Sequence, residues 1–207
     1  MEKKYFYILI SSFILFFILG GSVAYLEEIP PDTYLYLAIN QKFAFGALDP
    51  LFIFGAKALV YIPMIPAAWL FIRGDKNTKR IIVLMLLAVF SSRVVFEGLK
   101  HVIGRVRPYD YLENVRLIVE GRKTQSFPSG HATIASTLTT FALYYTRDNK
   151  GMATYLMILY LLVVAYSRIY VGVHFPLDVI GGILLGVSTS LGLIALYENM
   201  LCKDANN

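Results

Sequence analysis

The stretch Ile81–Leu99, IIVLMLLAVFSSRVVFEGL, decides how the rest of the chain is read. Crossing the hydrocarbon of a bilayer as a helix takes about 20 predominantly apolar residues, and this run supplies them. It also carries Arg93 and Glu97, four residues apart and so on one helical face, where they can pair with each other. The expectation for them is a structural pair inside a bundle of helices rather than a catalytic one.

Outward from that stretch, five more segments qualify as spans: Tyr5–Leu26, Leu51–Ile72, His131–Tyr145, Met152–Val171 and Pro176–Tyr197. His131–Tyr145 is short and gains its first turn from Ser129 and Gly130. Composition agrees, with 57% hydrophobic and 16% charged residues against about 25% charged in soluble proteins. Mean hydropathy is +0.60. The expected architecture is all-α: a single domain over residues 1–207, built as a six-transmembrane-helix bundle. The first segment follows a basic start, Lys3-Lys4, as a signal peptide would. Its apolar run is too long for a typical signal core and no small-x-small site precedes Glu27, so an anchor is expected. Lys57, in the second segment, either snorkels outward or meets a carboxylate.

The charge pattern orients the bundle. With six spans, one side carries Lys3, Lys4, Arg73, Lys76, Lys79, Arg80, Arg147, Lys150 and Lys203, so both termini are expected in the cytoplasm. On the other side, the loop 27–50 holds only Lys42. Its apolar stretch Asp32–Leu48, interrupted by Asn40, Gln41 and Lys42, reads as a helix in the outer interface, either a simple lid or a lipid gate. The loop Lys100–Pro128 breaks the rule with Lys100, Arg105, Arg107, Arg116, Arg122 and Lys123. Cations in excess on the wrong side call for an anion. The net charge of +5 is thus accounted for by topology and anionic lipid, and nucleic acid is set aside as a partner. The lone cysteine, Cys202, rules out an intrachain disulfide.

Three clusters at outer boundaries carry chemistry. In Lys100-x6-Arg107-Pro108, a continued third helix puts Lys100 and Arg107 two turns apart, able to converge on one anion. Either they do so, or they are snorkelling anchors. Pro128-Ser129-Gly130-His131 stands directly before an apolar run. There Ser129 suits an N-cap, Gly130 permits close backbone approach, and the free N–H groups of the helix start can seat an anion. The plain alternative is an ordinary capped helix with an interfacial histidine. In Ser167-Arg168-x5-His174-x3-Asp178, Arg168 is a charge at membrane depth, and Pro176 suits a first helical turn. A carboxylate such as Asp178 can hold Nδ1–H of His174 and leave Nε2 free as a nucleophile.

In this order the clusters resemble the type 2 phosphatidic acid phosphatase superfamily, the lipid phosphate phosphatases, in its membrane-spanning branch. All eleven fixed positions of its K-x6-RP, PSGH and SR-x5-H-x3-D signature are present. At about one in twenty per position, chance agreement is negligible. The resemblance implies a hydrolase for lipid phosphates or diphosphates, with substrates such as prenyl diphosphate, phosphatidate or phosphatidylglycerophosphate. By the same resemblance, His174 attacks phosphorus to form phosphohistidine and Asp178 orients it. His131 protonates the leaving oxygen and then activates water. Lys100, Arg107, Ser129, Gly130 and Arg168 bind the phosphoryl oxygens. No cofactor and no metal are expected, because three fixed cations and a helix end supply the positive field. A zinc site is disfavoured, since His131 and His174 are already assigned and His101 lies elsewhere. The implied location is the plasma membrane, multi-pass, with the site extracytoplasmic. Two alternatives keep the same motifs: a lipid phosphotransferase sharing the phosphohistidine step, and a non-catalytic lipid-phosphate binding or transport protein.

Overall fold

The computed structural model describes residues 1–26, 28–148 and 151–204, and all regular structure among them is helical. Glu27 and Lys150, used above for loop limits and topology, lie outside the described residues, as does the side chain of Lys203. The helices are α1 Lys3–Tyr25, α2 Pro30–Leu37, α3 Asp49–Lys57, α4 Met64–Arg73, α5 Lys76–Ile103, α6 Pro108–Tyr111, α7 Gly130–Tyr145, α8 Met152–Tyr170 and α9 Pro176–Asp204. One turn of π-helix, Ala38–Lys42, continues α2, and 3-10 turns Gly46–Leu48 and Leu59–Tyr61 flank α3.

Four of these are long and apolar enough to cross a membrane: α1, the α5–α6 stretch, α8 and α9. A fifth candidate is the pair Gly46–Lys57 and Leu59–Arg73, bent by 44° between its halves. The chain is a multi-pass membrane protein. Helix α7, the remaining sequence-expected span, has 16 residues. At 1.5 Å per residue it is about 24 Å long, short of the ~30 Å hydrocarbon core. It lies at the centre of the bundle, packed against α5, α8 and α9.

The packing of α7 on α9 is close because of what α9 lacks. A Cβ at Gly182 would fall 2.5 Å from the Ser129 carbonyl oxygen, and one at Gly186 would fall 2.5 Å from that of Thr133. Small residues four apart let two helix backbones touch, which in lipid replaces the missing hydrophobic drive with dispersion contacts. Around this pair, Phe16 and Val23 of α1 meet Phe96, Phe127 and Leu185 in one buried cluster. The first segment is therefore part of the bundle's packing. Large apolar side chains such as Phe13, Phe17, Trp69, Phe90 and Leu162 face outward, as a lipid-facing surface requires.

Breaks in helices occur where they serve one end of the bundle. The α3–α4 bend frees the Ala56 carbonyl, which accepts a 2.6 Å hydrogen bond from Arg168 Nη1 on α8. A cation at a helix C-terminus satisfies an orphan carbonyl and meets the negative end of the helix dipole. The α2 region buries one face against the bundle and leaves Tyr34 and Leu35 exposed. Tyr36 and Asn40 are fully buried, and Asn40 Nδ2 donates to the carbonyls of Arg116 and Tyr170 at 2.9 Å each.

Candidate active site

The C-terminal ends of α5 and α8 and the N-terminal ends of α7 and α9 gather at one end of the bundle. Lys100 sits in the last turn of α5, which stops at Gly104 in the left-handed region, φ +69°. Glycine takes this conformation without the clash a Cβ would bring. The helix therefore does not run on to Arg107, so the condition for a two-turn spacing with Lys100 is not met. Arg107 lies in extended backbone before α6 and reaches the site by the turn instead. Convergence survives and the continuous helix does not.

Lys100, Arg107, Gly130, His131, Arg168 and His174 line one cavity of about 100 Å³, together with Tyr61, Arg93, Phe96, Glu97, Arg122 and Ile134. Three elements separated in sequence thus put their signature residues on one wall. Asp178 does not reach that wall and stands behind His174, with Nδ1 of the ring 3.4 Å from its Oδ2. The other ring nitrogen, Nε2, is 3.4 Å from Arg107 Nη1. A guanidinium only donates, so these partners assign the proton to Nδ1 and leave Nε2 unprotonated, its lone pair accepting only the long contact from Arg107. Burial, with Arg107 and Arg168 nearby, pushes the His174 imidazole down to about 3. The ring is neutral at physiological pH, as a nitrogen nucleophile must be.

Arg107 is bound more tightly than an anion-binding residue needs to be. It donates from Nε to the Thr124 carbonyl at 2.6 Å and from Nη1 to that of Val173 at 2.9 Å. Its Nη2 meets Thr124 Oγ1 at 3.1 Å and the Gln125 carbonyl at 3.3 Å. Only the long contact to His174 remains to be exchanged for a phosphoryl oxygen. Arg107 thus ties the loop to His174 as well as supplying charge.

Ser129 occupies the N-cap position of α7, but its side chain makes no capping hydrogen bond. Its backbone N–H donates to the Asp178 carbonyl at 2.9 Å, locking α7 to α9. Ser129 Oγ and Arg168 Nε are both buried and have no hydrogen-bond partner among the described residues. Burying such groups unpaired costs about 1–3 kcal/mol each. Arg168 lines the cavity, whereas Ser129 does not and adjoins it through Gly130, so Arg168 Nε is the buried donor available to an acceptor there. Glu97 turns to Lys100, 3.7 Å away, and no Arg93–Glu97 ion pair forms. Both line the cavity. Lys57 is exposed, is in no ion pair among the described residues, and lines an adjoining chamber.

Reading the sequence missed the group behind Asp178. Arg105 Nη1 donates to Asp178 Oδ1 at 2.7 Å, and its Nη2 to Asp32 Oδ2 at 2.6 Å. Asp32 Oδ1 in turn accepts from the Leu177 backbone N–H at 2.9 Å. Asp178 Oδ2 also accepts from Ser126 Oγ and, at 2.8 Å, from the Phe175 N–H. The wrong-side loop cations therefore do two jobs. Lys100, Arg107 and Arg122 face the cavity, whereas Arg105 and Arg116 bind carboxylates, the latter Asp49.

Residues 81–201 match the family model described as the PAP2 superfamily. The chain belongs to that superfamily. The undecaprenyl-diphosphatase of Sulfolobus acidocaldarius is 31% identical over 189 residues, covering 90% of this chain and 88% of that protein. A putative undecaprenyl-diphosphatase of Escherichia coli is 30% identical over 151 residues, covering 72% and 74%. Among solved structures, the transmembrane PAP2 type phosphatidylglycerolphosphate phosphatase of Bacillus subtilis aligns with a TM-score of 0.74 and 26% identity, over 93% of this chain and 97% of that one. This PAP2 chain is thus a membrane phosphoric ester hydrolase.

Proposed function

We propose that this protein hydrolyses a lipid phosphate or diphosphate through a phosphohistidine formed on His174, without a metal. The observation that carries the reading is the convergence of Lys100, Arg107, His131, Arg168 and His174 on one cavity, with Arg168 Nε buried and unpartnered among the described residues. Nε2 attacks phosphorus as the bond to the leaving oxygen breaks. Asp178, accepting from Nδ1–H, holds the ring and balances the charge that develops on it. Lys100, Arg107 and Arg168, with Ser129 and the Gly130 end of α7, stabilise the three equatorial oxygens. His131 protonates the leaving oxygen, then takes a proton from the water that cleaves the N–P bond. Inorganic phosphate and the dephosphorylated lipid are the products.

The residues 1–207 act as one domain with six spans, α7 included, and the α2 region lies at the outer interface. The site faces outward from the plasma membrane with both termini cytoplasmic. Support comes from the opposite end of the bundle, where Lys76, Lys79 and Arg80 start α5 and Arg147 follows α7. The undecaprenyl-diphosphatases and the phosphatidylglycerolphosphate phosphatase among the relatives favour a prenyl diphosphate or phosphatidylglycerophosphate, both compact anions on long tails.

The test is covalent labelling in excess chelator with lipid phosphate carrying labelled phosphorus. The parent should take up acid-labile, base-stable label, and His174→Ala should take up none. Equal labelling of the two removes His174 as nucleophile; label that appears only when a divalent metal is restored removes the metal-free mechanism.

A further inference from the structure

The phosphoryl cavity does not stand alone. Tyr61, Arg122, His131 and Arg168 form a shared wall with a second chamber of about 200 Å³, which Lys57 and Glu120 also line. His174 lines only the first chamber and Lys57 only the second, with His131 between them. Lys57 is at the C-terminal end of α3, held there by the bend that also presents Ala56 to Arg168. Lys57 and Arg122 are exposed, and neither is in an ion pair among the described residues.

We infer that this second chamber is a phosphate seat on the leaving-group side, with Lys57 and Arg122 as its cations, and that it selects diphosphates over monoesters. The inference rests on the phosphohistidine reading and names the substrate class of that site. In phosphoryl transfer the attacking and leaving oxygens lie roughly in line on opposite sides of phosphorus. His174 lines only the first chamber and His131 lines both, so the chamber that holds Lys57 is open to a group displaced by His174. A monoester would place a single alkyl oxygen there, whose developing charge His131 neutralises with a proton, leaving two further cations no standing charge to bind. A diphosphate places a second phosphate there, and two cations against one carboxylate, Glu120, suit it.

The step balances as written. The His174 Nε2–P bond forms while the bond from that phosphorus to the bridging oxygen breaks. The electron pair stays on the bridging oxygen, now part of the lipid monophosphate, and the two cations stabilise it without a proton. Water then attacks the phosphohistidine, its proton goes to His131, and inorganic phosphate leaves. A diphosphate is thereby cleaved with less demand on His131 as an acid than a monoester makes.

The test compares prenyl diphosphate and prenyl monophosphate of one chain length, using full-length protein in detergent and reading phosphate release. KM is the chosen quantity because it does not depend on the fraction of active enzyme. Lys57→Gln should raise KM for the diphosphate about tenfold and leave KM for the monophosphate within about twofold, tenfold being the loss of one charge-assisted contact. Lys57→Arg should restore the parent value, and adding Arg122→Gln should raise the diphosphate KM further. No change with either substrate, or an equal change with both, overturns the second seat while leaving the phosphatase reading intact. A parent that releases phosphate from neither substrate overturns the reading on which the seat rests.

Discussion

Replacing Arg105 by Gln should cost this protein more than any loop substitution that the sequence alone would single out. Arg105 lies between two buried carboxylates, Asp178 with no exposure and Asp32 with 4%. Its own side chain is 13% exposed. Removing one partner of a buried ion pair leaves an uncompensated charge and costs about 3–5 kcal/mol. Here the lower end applies, because Asp178 keeps Ser126 Oγ and the Phe175 N–H, and Asp32 keeps the Leu177 N–H. At about 2–4 °C per kcal/mol for a chain of this size, about 3 kcal/mol lowers Tm by about 6–12 °C. Activity should fall as well. A carboxylate left without its guanidinium relieves the cost by taking up a proton, and a protonated Asp178 no longer fixes the Nδ1–H tautomer of His174. Misplacement of a reacting group by about 1 Å costs about 100-fold, which sets the scale for kcat/KM. The assay pairs thermal unfolding in detergent with phosphate release and adds Arg105→Gln/Asp32→Asn. With one of the two stranded charges removed, the double variant should regain part of the lost Tm without regaining the activity, since Asp178 is still unpaired. Parent-like Tm and kcat/KM in Arg105→Gln would refute the clamp.

His131→Ala should keep the nucleophile and lose the water-activating base, a 10²–10⁴-fold effect, so phosphoenzyme accumulates from a diphosphate substrate; an unlabelled His131→Ala protein under conditions that label the parent would contradict this order of steps. The His174 ring should stay neutral from pH 8 to about pH 4, since burial depresses its pKa to about 3. Its unfolded value is about 6.5, so between those limits the unfolded chain binds the extra proton and stability falls as pH falls, levelling off above about 6.5. Ring-nitrogen NMR signals, assigned by their loss in His174→Ala, check this, and a titration centred near 6.5 would show the site to be wetter than described. Single cysteines in a Cys202→Ser background at Glu113 and Asn77 should label from outside and inside the cell, respectively. Labelling of Asn77→Cys from outside reverses the topology.

Much of the molecule was legible in order of residues alone, for definable reasons. A helix in lipid must satisfy its own backbone, so apolar length by itself locates α1, α5, α8 and α9. The signature residues could be named because their types are dictated by phosphoryl chemistry and their spacing is local: Arg168, His174 and Asp178 fall within one helix end, one turn and the next helix start. Three things were not legible. The length of α7 could be counted, but its central position depends on Gly182 and Gly186, which matter only once α9 is laid against it. Arg107 reaches His174 through a left-handed Gly104 and not by the continued helix that would have set it two turns from Lys100. Arg105, Asp32 and Lys57 carry no local signal at all. Their partners are Asp178, 73 residues away from Arg105, and a chamber walled by separate helices. Local rules fix which residues can do chemistry; packing fixes which charges meet, because an ion pair depends on distance in space and not along the chain.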